Sequence, residues 1–394
     1  MNSQDHPAAQ AVPIETPVGS GATSVPPPHR DERLRDERLR KVPLWRQIMM
    51  RPELGSIAGT VLVFLFFLSV AGDSGMFSAK GMVNFLEVSA QLGILAAIAA
   101  LLMIGGEFDL SVGSMIAFAS MTIAIPSMVW GWPLWICILL AFVVSAGIGF
   151  INGIIVVRTG LPSFIVTLAG FFVLRGLTLA LTRAITNRTQ VSGLNDLVAQ
   201  DPLGPFFSGD VLEGFFQWMA RMGWIAARPD GLPLATGLPV SVVWWVLLTA
   251  VATWILLRTR FGNWIFATGG DPVAARNVGV PVARVKILLF MAMAMTATLF
   301  AAIQVLDSGS ADTLRGTQKE FEAIIAVVIG GTLLTGGYGS AVGASFGALI
   351  FGTVQMGIFY TGVDTDWFKV FLGIMVLVAV LFNNYVRKRA TGSR

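Results

Sequence analysis

Ten stretches of predominantly apolar residues, separated by short polar or glycine-rich breaks, cover most of the chain beyond residue 54. They run over 55–72, 88–104, 112–130, 134–157, 162–182, 241–257, 285–306, 321–335, 341–360 and 367–384. A spanning α-helix needs ~20 mostly apolar residues, and most of these runs approach that length. The pattern predicts an all-α polytopic membrane protein with about ten transmembrane helices, forming one transmembrane domain over 51–390. Several runs contain glycine or proline, which membrane helices tolerate where neighbouring groups satisfy the freed backbone.

Polar positions divide the rest. Residues 1–28 hold too little apolar material to fold and include Pro26-Pro27-Pro28, so the segment reads as disordered. A tandem repeat follows, Asp31–Arg35 and Asp36–Arg40, with acid-first i,i+4 pairs that favour a helix. Trp45, Ile48 and Met49 beside Arg46 and Arg51 suit a membrane surface, so residues 1–50 form a basic tail with a short surface helix. That helix has two readings, a solvated anchor for the first span or a contact for a cytoplasmic partner. The other long break, 183–240, predicts an extended outer segment. Glu213 and Arg221 interrupt its apolar character, so an amphipathic surface helix is expected there rather than a span, with a re-entrant piece or an extra pair of spans as the alternative.

Charge sets the orientation. Only 13% of residues are charged and 55% are hydrophobic, against ~25% charged in soluble chains. With the N-terminus inside, 18 of the 27 Lys and Arg flank the spans on the cytoplasmic side, 8 lie outside, and Arg175 is within a span. Both termini are therefore expected in the cytoplasm. The net charge of +4 follows from this topology and does not point to nucleic acid. Lipid is the expected surrounding.

Chemistry-bearing motifs are few. No phosphate-binding loop of the G-x-x-x-x-G-K-[ST] kind occurs, so ATP is not expected to bind through one here. Both histidines, His6 and His29, are in the tail and Cys137 is the one cysteine; no enzyme activity, cofactor or metal is expected. Gly343-Ala344-Ser345-Phe346-Gly347 matches a nucleophile-elbow string. It lies in an apolar run without a histidine base, and Gly339, Gly343 and Gly347 read instead as a helix-packing stripe.

Two polar constellations remain. Residues 105–114, Gly-Gly-Glu-Phe-Asp-Leu-Ser-Val-Gly-Ser, break a helix with two glycines and follow with Glu107 and Asp109. Either they form a polar turn in which Asp109 or Ser111 caps the next span, or a broken-helix element lines a transport path. Ser111, Ser114, Ser163, Thr167 and Gln304 are candidate path-lining residues with Glu107 and Asp109. Arg175 either snorkels, pairs with a carboxylate, or lines the same cavity. The second constellation is the 258–284 loop. Gly269-Gly270 makes a turn, Asp271 is a natural N-cap with Pro272 at N1, Ala274, Ala275 and Arg276 occupy one or two helical turns, and Gly279 ends them. A short capped helix with a projecting Arg276 is shaped to dock into another protein.

Residues 105–114, 162–170, 269–279 and 326–340 together resemble the permeases of ribose, xylose, galactose and arabinose ABC importers, over roughly 55–385 apart from 183–240. The resemblance implies a multi-pass protein of the bacterial cytoplasmic membrane with three kinds of partner. These are a second permease chain (homodimer or heterodimer), a cytoplasmic ATP-binding subunit and a periplasmic sugar-binding protein. It also implies that Gly269–Gly279 is the coupling helix entering the ATPase. Asp271 stands where the family often has Asn, and either caps a helix. The long outer segment is closest to xylose-type permeases. Two other readings stay open: a permease for branched-chain amino acids, or an ion-coupled secondary transporter. The second usually keeps carboxylates or histidines inside its spans.

Overall fold

The computed structural model describes residues 52–381 except 365, 376, 379 and 380. The tail and its expected surface helix lie outside these residues. Among the described residues, eight helices are long and apolar enough to cross a bilayer. In chain order they are α1 (Pro52–Ala71), α2 (Ala79–Ile104), α3 (Val112–Val129), α4 (Leu134–Thr159), α5 (Ser163–Thr186), α9 (Val240–Arg258), α12 (Val282–Ser308) and α14 (Ala341–Thr361). The shorter helices between them are α6 (Asn195–Gln200), α7 (Gly204–Phe207), α8 (Glu213–Arg221), α10 (Arg260–Gly270), α11 (Pro272–Asn277) and α13 (Lys319–Ile329).

Two of the ten expected runs are not among these eight. The run at 321–335 is not a span: α13 has 11 residues, about 16 Å at 1.5 Å per residue. Gly330 and Gly331 end it, the latter with φ of +88°. The last run begins as a helix over 367–375, and part of it falls outside the described residues.

Burial sorts the helices. α2, α3, α12 and α14 are mostly buried, whereas α1, α4, α5 and α9 bury only one stripe. Lipid provides no hydrophobic drive between helices, so close packing of small residues must hold them. The core of α2 accordingly reads Leu95-Ala96-Ala97-Ile98-Ala99-Ala100, all buried. The glycine stripe serves the same end: a Cβ at Gly347 would lie 1.9 Å from the Ala326 carbonyl, and one at Gly343 2.2 Å from that of Gly330. α14 therefore packs backbone to backbone on α13. The outward faces of α1, α5 and α9 carry Leu62, Phe66, Phe172, Val173, Val246 and Trp254, all exposed, as a lipid-facing surface requires.

The 187–239 segment caps one end of the bundle and contains no span. β1 (Gln190–Ser192) pairs antiparallel with β4 (Ser310–Asp312), Val191 opposite Ala311. β2 (Asp210–Val211) pairs with β3 (Leu238–Pro239). These two ribbons are the departure from an all-helical fold. Where an amphipathic helix is expected, α8 forms, and Phe215 stacks on Trp218, which meets Trp224 edge-on. Gly193 and Leu194 donate to the Gly309 carbonyl, tying this cap to the end of α12.

Candidate functional site

α2 ends at Gly105-Gly106, and Gly106 takes φ of +82°, open to glycine at little cost. The chain then runs through a buried irregular segment, 107–111, before α3 begins. An irregular backbone within a membrane domain needs internal hydrogen-bond partners, and α5 supplies them. The Phe108 N–H donates to Ser163 Oγ at 3.0 Å, and the Leu110 N–H donates to Thr167 Oγ1 at 3.0 Å, one turn further along. Asp109 Oδ1 accepts from both the Ser111 N–H (2.8 Å) and the Ser111 hydroxyl (2.5 Å), and Asn152 donates to Ser111 Oγ. Ser111 therefore does not cap α3 with its side chain; Asp109 orders the turn that starts α3.

A second broken element meets the first. After α12 and β4, residues 313–318 turn inward and α13 starts beside the start of α3. A Cβ at Gly113 would stand 2.0 Å from Glu320 Oε2 and 2.5 Å from the Gly316 carbonyl. Arg175 holds this turn by donating to the Thr313 carbonyl at 2.9 Å, with its guanidinium over the Phe171 ring. Two helices thus begin within the bundle, their N-termini side by side. Asn152 lies seven residues from the end of α4, so the meeting point is roughly 10 Å inside the bundle.

Asp109 and Glu320 line one narrow cavity there, of about 10 Å³, room for about one water molecule. The structure thus gathers Asp109, Ser111, Ser114, Ser163 and Thr167 into one region. Ser163 and Thr167 hold the backbone of residues 108 and 110. The other three candidates have different partners. Glu107 forms an ion pair with Lys286 on α12, Gln304 bonds Gln91, and Arg175 pairs with no carboxylate among the described ion pairs. Glu320, Lys286 and Asn152 were missing from the sequence reading. A charged Lys-Glu-Phe-Glu at 319–322, opening an apolar run too short for a span, is the signal that points to the first.

The capped loop helix is α11. Asp271 Oδ1 accepts from the Val273 and Ala274 N–H groups at 2.9 and 3.0 Å, Pro272 follows it, and Gly279 leaves with φ of +87°. Ala275 is buried while Val273, Ala274 and Arg276 are exposed, and Val278 just beyond is 80% exposed. Its start is fused to both broken elements through glycine backbone. A Cβ at Gly269 would meet the Ile104 carbonyl at 1.8 Å and the Gly337 N at 2.7 Å; one at Gly337 would meet the Gly270 Cα at 2.8 Å. Gly337 N donates to the Ile104 carbonyl at 2.8 Å. Three Gly-Gly pairs, 105–106, 269–270 and 336–337, therefore form one junction.

Residues 81–380 match the family described as the branched-chain amino acid transport system permease component. The xylose transport system permease protein XylH of Escherichia coli (strain K12) is 32% identical, covering 85% of this chain and 92% of its own length. The fructose import permease FrcC of Rhizobium meliloti is 30% identical over 84% of each chain. The ribose import permease RbsC of Escherichia coli (strain K12) is 30% identical over 82% of this chain and 91% of its own. No solved structure matches. With a match running from α2 into the last helix and similar permeases aligned over nearly their whole length, the chain belongs to this family of transport-system permeases.

Proposed function

We propose that this chain is the membrane-spanning permease of an ATP-driven importer for a monosaccharide, a pentose such as xylose or a related sugar. The observation that carries the reading is the glycine junction. It joins a capped, outward-presented helix to the two elements that close the buried cleft, so a push on α11 is delivered to the cleft. In this reading α11 and the 258–284 loop face the cytoplasm and dock into a separate ATP-binding subunit. Both termini lie on that side, and the 183–240 cap faces the periplasm and receives a sugar-binding protein. A second copy of the chain completes the path in the inner membrane. The chain changes no covalent bond; ATP is hydrolysed on the partner.

Sugar is preferred over amino acid because the similar permeases named above carry xylose, fructose or ribose in their names. The cavity also offers carboxylate acceptors for neutral hydroxyls. The test is reconstitution with the co-expressed ATP-binding subunit and binding protein, and a screen of pentoses, hexoses and branched-chain amino acids for stimulated ATP hydrolysis. Stimulation by a sugar supports the reading; stimulation by leucine or valine alone refutes the substrate class.

A further inference from the structure

We infer that Glu320 and Asp109 form a hydroxyl-binding site inside the bundle, at which the transported polyol is held between the two broken elements. Glu320 is 3% exposed, and its Oε2 is buried without a hydrogen-bond partner among the described residues. Its neighbour Glu322 is by contrast paired with Lys319. Buried polar atoms in native proteins almost always find partners, so an orphan carboxylate oxygen on a residue that lines a buried cavity indicates a ligand that supplies its partner.

The chemistry selects the class. A carboxylate oxygen only accepts, so the missing group is a donor. The N-terminal end of α3 already places a positive dipole beside Glu320, which disfavours a cation there and leaves the acceptor for a neutral O–H. Asp109, on the same cavity, has Oδ1 taken by Ser111 and offers its other oxygen. Two acceptor groups lining one cavity fit the adjacent hydroxyls of a sugar. The closed cavity is too small for a sugar ring, so the site opens when α13 and the 105–111 segment separate. Both hang from the glycine junction, through Gly105-Gly106 and through Gly330–Gly337, so the inference rests on the proposed importer reading.

The experiment uses the full chain with its ATP-binding subunit and binding protein in proteoliposomes, with radiolabelled D-xylose, D-ribose and D-fructose as probes. Glu320→Gln and Asp109→Asn keep shape while weakening the acceptor. Each should lower uptake about tenfold or more, as loss of a hydrogen bond to a charged group does. Glu320→Asp should recover part of it. The thermal midpoint of the purified Glu320→Gln permease should be unchanged or higher, because a buried orphan charge has been removed. Variant uptake within about twofold of wild type, or reduced uptake with a lowered midpoint, would overturn the site while wild-type import keeps the importer reading intact. Wild-type uptake that follows an imposed pH gradient would make the carboxylates proton carriers and overturn it as well. If the wild-type complex imports none of the three sugars, the importer reading fails and the site falls with it.

Discussion

Gly269→Ala places one methyl group at the point where the loop helix meets both broken elements. Its Cβ would stand 1.8 Å from the Ile104 carbonyl oxygen and 2.7 Å from the Gly337 nitrogen, where ordinary contact begins at 3.4 Å. Relief therefore needs a movement of about 1.6 Å, against backbone that a side-chain rotation cannot clear. The intruding methyl also lies against the Gly337 to Ile104 hydrogen bond of 2.8 Å. Overpacking costs ~1–3 kcal/mol and a lost hydrogen bond ~0.5–1.5 kcal/mol, so the junction is strained by about 2–4 kcal/mol if it stays closed. The cheaper response is for α11 to ride away from Ile104 and Gly337, breaking the mechanical link. Gly269→Ala permease should therefore still co-purify with the ATP-binding subunit. Substrate-stimulated ATP hydrolysis in proteoliposomes should fall about tenfold or more, since 1.4 kcal/mol already corresponds to tenfold. Gly270→Ala is the matched control, because nothing lies within 4 Å of its Cβ. If both variants behave as wild type, the junction transmits nothing and the reasoning is refuted.

Other perturbations probe the remaining parts. Arg276→Glu reverses the charge on the exposed face of α11 and should abolish stimulated ATP hydrolysis while the permease stays inserted; unchanged stimulation rules out docking there. Lys286→Met leaves buried Glu107 unpaired and should cost on the order of 2–3 kcal/mol. This is below the ~3–5 kcal/mol of a fully buried pair, because the Lys286 side chain is 20% exposed; chemical denaturation in detergent, with the Glu107→Gln double variant restoring stability, measures it. Thr167→Val removes the acceptor for the Leu110 N–H and should cost about 1–2 kcal/mol, while Thr167→Ser should cost less than half of that; equal midpoints for the two would refute the backbone role. Gly347→Ala, aimed at the Ala326 carbonyl, should destabilise by ~1–3 kcal/mol, whereas Gly176→Ala, with nothing within 4 Å, should be neutral.

Local signals were the legible ones. The N-cap Asp271, Pro272 and Gly279 specify α11 within a few residues, because capping chemistry is local. The spacing of Gly343 and Gly347 announced close helix contact for the same reason. Depth and partnership were not legible. Hydropathy assigns Phe321–Thr335 to a span because it weighs composition, and the Gly330-Gly331 stop that shortens α13 looks like an ordinary glycine pair in an apolar run. The backbone bonds of Ser163 and Thr167 were not legible either, since nothing in sequence shows that a segment 55 residues earlier lies alongside them. The Glu107–Lys286 pair joins elements separated by four intervening long helices, and the three glycine pairs converge only in space. Glu320 escaped for a related reason: at the mouth of a supposed span it resembles a flanking charge.

The central claim is that this bundle opens only when a separate nucleotide-driven subunit moves α11. Uptake into proteoliposomes should be compared for permease alone under imposed proton and sodium gradients, and for permease with its ATP-binding subunit, binding protein and internal or external ATP on the matching side. The account predicts accumulation solely with the complete, ATP-supplied assembly and none from gradients alone. Concentrative uptake by the isolated permease down an ion gradient would contradict it.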